Sequence, residues 1–421
     1  MDESQDSVKI RGWNPGPVFS YATAAFNGYW WEDPSRLLLF FILPLYTLLS
    51  IELLGEPKAI QHIYYTGFYA FAGGLFLVVV MVVSSLGRSA RPVIKPVPAE
   101  IPVHVLDFVF GLALVGYLIM MGEVLTHPAL ILSFFSGGTS VYDLLAMKGR
   151  IAGLSTLTEA TMAYVPLYFY VFKQVERGFN RYKLYLIILG VLTLIRSFIF
   201  AERLALIEVA LPSVLMYVRF RGSPRRSKLI TLGPFAAIGP MIGLFIANEY
   251  HRSWEAYYIN LYDNVFDFAI ERLGLYYSTA LNNGAGLLGV LGWGNGRPMF
   301  TFDWLIHFPI IGDFVKPLLD SSPDIDEFLN RYADPEFNNP SGIFVHFYEW
   351  GWFALFIAVF IGWVFNKSYT GWRSGDGFWC CAHAALYVGL LEILRIPNLF
   401  SGRNLVPIGV LFFVFRFMRK P

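Results

Sequence analysis

The sequence predicts an all-α polytopic membrane protein with about ten transmembrane helices, and three observations predict it. Hydrophobic residues make up 56% of the 421-residue chain and charged residues only 15%, against about 25% charged in an ordinary soluble domain. Apolar runs close to the length of a membrane span recur along the chain; a helix needs about 20 such residues to cross a hydrocarbon core of about 30 Å. Lysine and arginine gather in alternate linkers, the bias that marks short cytoplasmic loops. A net charge of +1 leaves no broad electrostatic footprint for nucleic acid, so none is expected as a partner. Cys380 and Cys381 are adjacent inside an apolar run and supply neither a disulfide framework nor a spaced metal site.

Residues 1–34 are polar and mixed, with no early apolar core before a small-residue cleavage site. They are expected to be a cytoplasmic segment and not a cleaved signal. Spans follow near 35–54, 62–86, 104–126, 155–173, 182–199, 202–219 and 229–248, then near 343–366, 377–394 and 404–418. The basic residues fall after the second span (Arg88, Arg91, Lys95), after the fourth (Lys173, Arg177, Arg181, Lys183) and after the sixth (Arg219, Arg221, Arg225, Arg226, Lys228). They recur after the eighth (Lys367, Arg373) and at the C-terminus (Arg416, Arg419, Lys420). All five clusters share one side if both termini are cytoplasmic. The chain then divides into residues 1–34, a first part of the bundle over 35–248, a periplasmic cap over 249–342, and the last part of the bundle over 343–421.

Two outer regions stand apart. Residues 127–154 mix an apolar piece with a Gly-Gly break, the pattern of a re-entrant or interfacial helix. The cap is aromatic-rich and carries amphipathic pieces, so it is expected to be partly helical and to lie on the outer membrane surface. Its middle, GAGLLGVLGWGNGRPMF, holds too much glycine for a stable spanning helix. Trp293, Trp304, Trp350 and Trp352 suit stacking on sugar rings or, more commonly, an interfacial belt.

The stretch TLIRSFIFAERLALIE, Thr193 to Glu208, puts four charges into apolar sequence. A charge in hydrocarbon costs several kcal/mol, about 2.5–3.5 on insertion scales, and persists where it meets a partner, cavity or ligand. Arg196 and Arg203 are seven apart, a spacing that shares a helix face. The positive-inside pattern, however, requires the chain to go out and return between 173–183 and 219–228. A tight reversal around Arg196–Glu202 follows, with no Gly or Pro to announce it. The functional reading is that these guanidinium groups face an anionic, membrane-borne substrate. The alternative is that they pair with Glu202, Glu208 or another helix and hold the bundle together.

Other outward-facing ionisable residues are Glu249 and His251 at the end of the seventh span, His346 and Glu349 in the eighth, and Arg395 and Arg403 around a Pro-Asn break. His346 and Glu349 are three apart and share a face, which suits a proton-transfer pair or an ordinary internal hydrogen bond. Arginine suits a phosphate because its planar fork gives two parallel charge-assisted bonds. Arg196, Arg203, Arg395 and Arg403 are therefore the candidate diphosphate ligands, against snorkelling from helix ends as the plainer use of the last two. Arg297 and Lys316 in the cap are more simply solvated. No HExxH or spaced Cys/His set is present and no metal or other cofactor is expected. P-loop and GxGxxG patterns are also missing from the sequence.

The motif R-S-F-x-x-x-E-R-x-A-L-x-E over 196–208 and the Asn-Asn-Pro-Ser-Gly run leading into an aromatic span resemble the Wzy-type polymerases of the O-antigen polymerase and ligase superfamily. The topology also resembles theirs, with a large outer loop late in the chain. This resemblance implies a GT-C-like glycosyltransferase of the bacterial inner membrane. Its substrates would be undecaprenyl-diphosphate-linked oligosaccharides, joined at the periplasmic face without nucleotide sugar or metal. A flippase and a chain-length regulator would be its partners, besides membrane lipids. The family's outer-leaflet arginines would map to Arg196 and Arg203, and further to Arg395 and Arg403, with Glu202 and Asn339 supporting. Glu249, Glu349, His251 and His346 are the candidates for the base. No clear His motif occurs in the outer loop, which favours polymerase over ligase. The rivals are an O-antigen ligase-like enzyme, a lipid-linked-sugar flippase and a membrane scaffold.

Overall fold

A computed structural model describes residues 28–57, 59–86, 101–127, 153–172, 180–200, 202–220, 228–250, 262–294, 297–308, 310–320, 322–333 and 337–418, and single positions at 129, 133, 144, 148, 149, 151, 254 and 258. Helices and their connections make up the described residues, and no strand occurs among them. The principal helices are α1 (Pro34–Leu54), α2 (Gly67–Ser85), α3 (Val105–Leu125), α4 (Ala160–Phe172), α5 (Arg181–Ile199), α6 (Arg203–Phe220) and α7 (Pro234–Glu249). They continue as α8 (Val265–Leu291), α9 (Asp303–Ile306), α10 (Ile311–Leu319), α11 (Ser322–Tyr332), α12 (Phe344–Ser374), α13 (Gly377–Leu391) and α14 (Gly402–Phe417).

Each of the ten expected segments contains a helix. Five of them, α1, α2, α3, α5 and α12, are long and apolar enough to cross a membrane by length and composition. Pro234–Ala247 and α13 are apolar but shorter. The outward faces agree with a lipid solvent: Leu48, Phe71, Leu118, Val191 and Phe356 are all exposed on these helices, a distribution that water would penalise over so large an area. The core lies between them, around Leu37, Phe76, Tyr117, Tyr164, Phe365 and Trp372.

Contacts between linkers separate the two ends of the bundle. At one end Arg181 pairs with Asp107 at 3.0 Å, and the indoles of Trp30 and Trp31 donate to the carbonyls of Thr231 and Ile230 at 2.7 Å. At the other, residues near 60–65, 148, 200–203, 249, 301 and 395–403 come together through the hydrogen bonds and ion pairs described below. Most of the basic linkers, residues 87–100, 173–179 and 221–227, lies outside the described residues. So does most of 127–154, where a re-entrant helix was expected.

Residues 284–291 of the glycine-rich middle of the cap form the end of α8, a 27-residue helix whose residues Ser278 to Leu288 are buried and which is not among the helices apolar enough to cross a membrane by length and composition. Glycine costs a helix up to about 1 kcal/mol per residue in propensity, but here it allows close approach. A Cβ on Gly284 would stand 2.7 Å from the Phe344 Cβ and 2.8 Å from the Pro340 carbonyl, and one on Gly286 would stand 2.6 Å from the Tyr64 ring. Two amides beside these glycines hold flanking chain. Asn282 accepts from the backbone of Tyr64 at 2.8 Å and donates to His62 O at 2.7 Å. Asn283 donates to Phe337 O at 2.7 Å and Asn339 O at 3.2 Å. This half of α8 is therefore an internal post packed against Tyr64, Pro340 and Phe344.

Candidate functional site

Helix α5 ends at Ile199 and α6 begins at Arg203, and the chain reverses between them. The reversal splits Arg196, in the last turn of α5, from Arg203, the first residue of α6. The two arginines therefore do not share a helix face; they enter two different groups at the same end of the bundle.

The first group gathers around Arg196, which is buried. Its Nε donates to Glu202 Oε2 at 2.7 Å, Nη1 to Thr158 Oγ1 at 3.1 Å and Nη2 to Glu159 Oε1 at 3.0 Å. Every nitrogen of the fork thus has a protein acceptor. Lys148 pairs with the other oxygen of Glu202. Arg403, at the start of α14, closes the group by donating from Nη1 to both oxygens of Glu208 at 3.2 and 3.3 Å. Its Nη2 stands 3.7 Å from Glu202. Arg196, Lys148 and Arg403 face Glu159, Glu202 and Glu208, three cations against three anions drawn from α5, α6, α14 and the segments between helices.

The second group is aromatic. Arg203 Nη2 meets Glu249 Oε1 at 2.8 Å, and Arg272 Nε meets the other oxygen at 3.3 Å. Glu249 is fully buried between them. The Arg203 guanidinium lies 4.0 Å over the Phe245 ring and 5.1 Å over Tyr276. Arg395 comes to the same Tyr276 ring at 4.6 Å, and its Nε donates to Glu392 at 2.6 Å. Arg272 is enclosed by the rings of Tyr258, Phe268 and Phe337 at about 5 Å. Guanidinium over an aromatic face in a desolvated site is worth roughly 2 kcal/mol. Tyr276 is thus where α6, α8 and the 392–395 turn meet.

All four candidate arginines gather at this end, each with a carboxylate: Arg196 with Glu159 and Glu202, Arg203 with Glu249, Arg395 with Glu392, Arg403 with Glu208. They differ in access. The Arg403 side chain is 32% exposed and Arg203 11%, while Arg196 and Arg395 are buried. Arg196 takes the pairing role that the sequence left open beside the functional one. A pocket in the cap, lined by Asp313, Lys316, Pro317 and Asp320, includes none of the four.

The base candidates are more enclosed. Glu349 is buried and accepts from the backbone N–H groups of Phe300 and Thr301 and, at 2.5 Å, from Thr301 Oγ1. It clamps the cap onto α12, with the Trp350 indole donating to the same Thr301 hydroxyl at 3.0 Å. His346 is also buried, with Nδ1 3.9 Å from Glu349 Oε2, too far for a hydrogen bond. Its ring is packed by Phe76 and Phe400, and Nδ1 has no hydrogen-bond partner among the described residues. Glu249 serves as counter-ion to two arginines. His251 lies outside the described residues. Asn339, expected in a supporting role, is held at its backbone by Asn283. As the clamp predicts, Glu349→Gln should lower the thermal unfolding temperature measured in detergent by several degrees, since one oxygen of the clamp becomes a donor facing donors. A base would instead lose turnover at unchanged stability.

Arg272, Glu159 and Lys148 were not singled out by the sequence. Arg272 sits in an amphipathic piece that reads as surface, and its signal is the aromatic company that only tertiary packing assembles. Glu159 and Lys148 are lone charges far from the motif. Glu208 was visible within the motif itself. No protein-family model, curated protein or solved structure matches the chain.

Proposed function

We propose that this chain is a polysaccharide polymerase: a lipid-diphosphate-dependent glycosyltransferase that joins undecaprenyl-diphosphate-linked repeat units at the periplasmic face of a bacterial inner membrane. The observation that carries the reading is the meeting of Arg203, Arg395 and Arg403 with three further cations, Arg196, Arg272 and Lys148, at one end of an apolar bundle. Ten spans, a GT-C-like arrangement and cytoplasmic termini belong to the same reading, supported by the ten helical segments and the two-ended distribution of linkers.

Access divides the work among the arginines. Arg403 and Arg203 are the forks that turn to the donor diphosphate, because they retain solvent exposure. Arg196 and Arg395 hold the surrounding helices in register. A diphosphate competes with Glu208 for Arg403 and with Glu249 for Arg203, so binding exchanges an internal carboxylate for a ligand of higher charge. In the reaction the acceptor hydroxyl oxygen attacks the anomeric carbon from the face opposite the carrier. The anomeric C–O bond breaks, its electron pair passes to the departing diphosphate, and the guanidinium groups stabilise that charge. The hydroxyl proton goes to a carboxylate or imidazole. For Glu249 or Glu349 to accept it, the ion pair or clamp now holding that residue has to open.

The test is turnover of one defined lipid-linked repeat unit by purified protein, with chain-length analysis. A ladder of products supports polymerisation. Transfer only to a lipid A-core acceptor would make the protein a ligase, and movement of substrate across vesicles with no new glycosidic bond would make it a flippase.

A further inference from the structure

Helix α10 carries an apolar face that nothing among the described residues covers. Ile310, Phe314 and Leu318 are 76%, 75% and 74% exposed. They recur every four residues, so they form one stripe along the helix. Asp313, Lys316 and Asp320 lie on a separate face that flanks that stripe, and Gly312 is buried where α10 rests on α9. The short helix is thus three-sided, with a protein face, a polar face and a bare apolar face. Ile310 is also held at φ 68°, a left-handed conformation that a β-branched residue adopts only under constraint. The constraint leaves its side chain pointing away from the protein.

The level of this helix is set by the Glu349 clamp. Thr301, two residues before α9, is bonded to Glu349 and Trp350. Those residues adjoin Trp352 and Phe353, which are exposed at the break in α12 marked by Gly351 (φ 54°), just where its uninterrupted run Ala354–Ser374 begins. Phe68, at the start of α2, packs on Trp293 and Trp352 beside them. Aromatic residues at the ends of spans mark the headgroup level. A two-faced helix tethered at that level, with its apolar side bare, fits a lipid surface. We propose that α10 is an interfacial anchor whose Ile310–Phe314–Leu318 stripe enters the boundary between headgroups and acyl chains, pinning the cap to the bilayer beside the arginine groups. This assignment is independent of the chemistry proposed above and needs only the membrane character of the bundle.

The experiment uses full-length protein in vesicles of phosphatidylethanolamine and phosphatidylglycerol. A bimane label is placed on Phe314→Cys, Leu318→Cys or, on the polar face, Asp313→Cys. The unsubstituted chain is the control for Cys380 and Cys381, which are buried. The 314 and 318 labels should be quenched several-fold more by a shallow spin-labelled lipid than the 313 label, and several-fold less by aqueous iodide. Equal iodide quenching at 313 and 314 would put the stripe in water and overturn the proposal. Shielding of 314 from both quenchers would show a protein partner or second copy on the stripe, and would overturn it equally. All three positions are on the surface, so a label there leaves the core intact. Monodispersity on gel filtration verifies this before quenching is read.

Discussion

Arg196→Leu should yield little or no folded protein. The substitution removes a cation that satisfies Glu159, Glu202 and Thr158 simultaneously. Lys148 and Arg403 remain near Glu202, but among the described residues Glu159 would keep only the Arg403 nitrogen at 4.0 Å as a cationic partner. Breaking a buried ion pair by deleting one partner costs about 3–5 kcal/mol, because the other charge stays buried without compensation. A domain's whole margin is about 5–15 kcal/mol, so a loss at two carboxylates consumes a large part of it. The measurement is the yield of monodisperse protein in detergent and its unfolding temperature. Arg196→Lys should be intermediate, since a point charge keeps the attraction but cannot reach three acceptors in one plane. Glu159→Gln in the Arg196→Leu background should recover part of the loss, because it removes the stranded charge. An Arg196→Leu protein that unfolds at the wild-type temperature would show that the group contributes nothing to stability, and would return Arg196 to the list of free ligands.

Hydropathy alone located the helices, because lipid-facing and core-facing residues are both apolar in this class of protein and the signal needs no partner. The reversal between α5 and α6 was legible for a different reason. Positive charge on the flanking linkers demanded an outward and a return path, and the break was inferred although no Gly or Pro marks it. The packing role of α8 was not legible, because glycine in sequence reads as a propensity cost, whereas Gly284 and Gly286 are spaces for Phe344 and Tyr64. The adjacent amides Asn282 and Asn283 in an otherwise small and apolar run were the available clue, since such groups persist inside only where backbone partners meet them. The arginines at the site were legible as misplaced charges. Their counter-ions were legible only where they shared the motif, as Glu202 and Glu208 do. Glu159, Glu249 and Arg272 are joined to it by packing between helices distant in sequence, and no local pattern announces such pairs. The same gap applies to Glu349: its spacing from His346 was visible, but the backbone of Phe300 and Thr301 that donates to its carboxylate was not.

Arg203→Ala should abolish long polymer while single repeat units persist, and its loss should fall on turnover more than on folding. Glu249 keeps Arg272 as a partner in this variant, so the buried carboxylate is not left alone as it would be around Arg196. Removing one preorganised donor to a developing oxyanion costs on the order of a hundredfold or more in turnover. Arg203→Lys separates two explanations of such a loss. If Arg203 serves only to neutralise Glu249 and pack on Phe245 and Tyr276, lysine preserves the charge and a large part of the rate. If it grips the diphosphate through two parallel bonds, lysine stays poor although the protein folds, because an ammonium cannot present the fork. Chain-length analysis after turnover of a defined lipid-linked repeat unit, with unfolding temperature measured on the same preparations, reads both quantities. Arg403→Lys provides the companion case at the most exposed of the four, where the Glu208 pair is lost to a weaker contact and stability should change least. Wild-type polymer length from both lysine variants would remove the bidentate diphosphate role and leave the end of the bundle as a structural charge network.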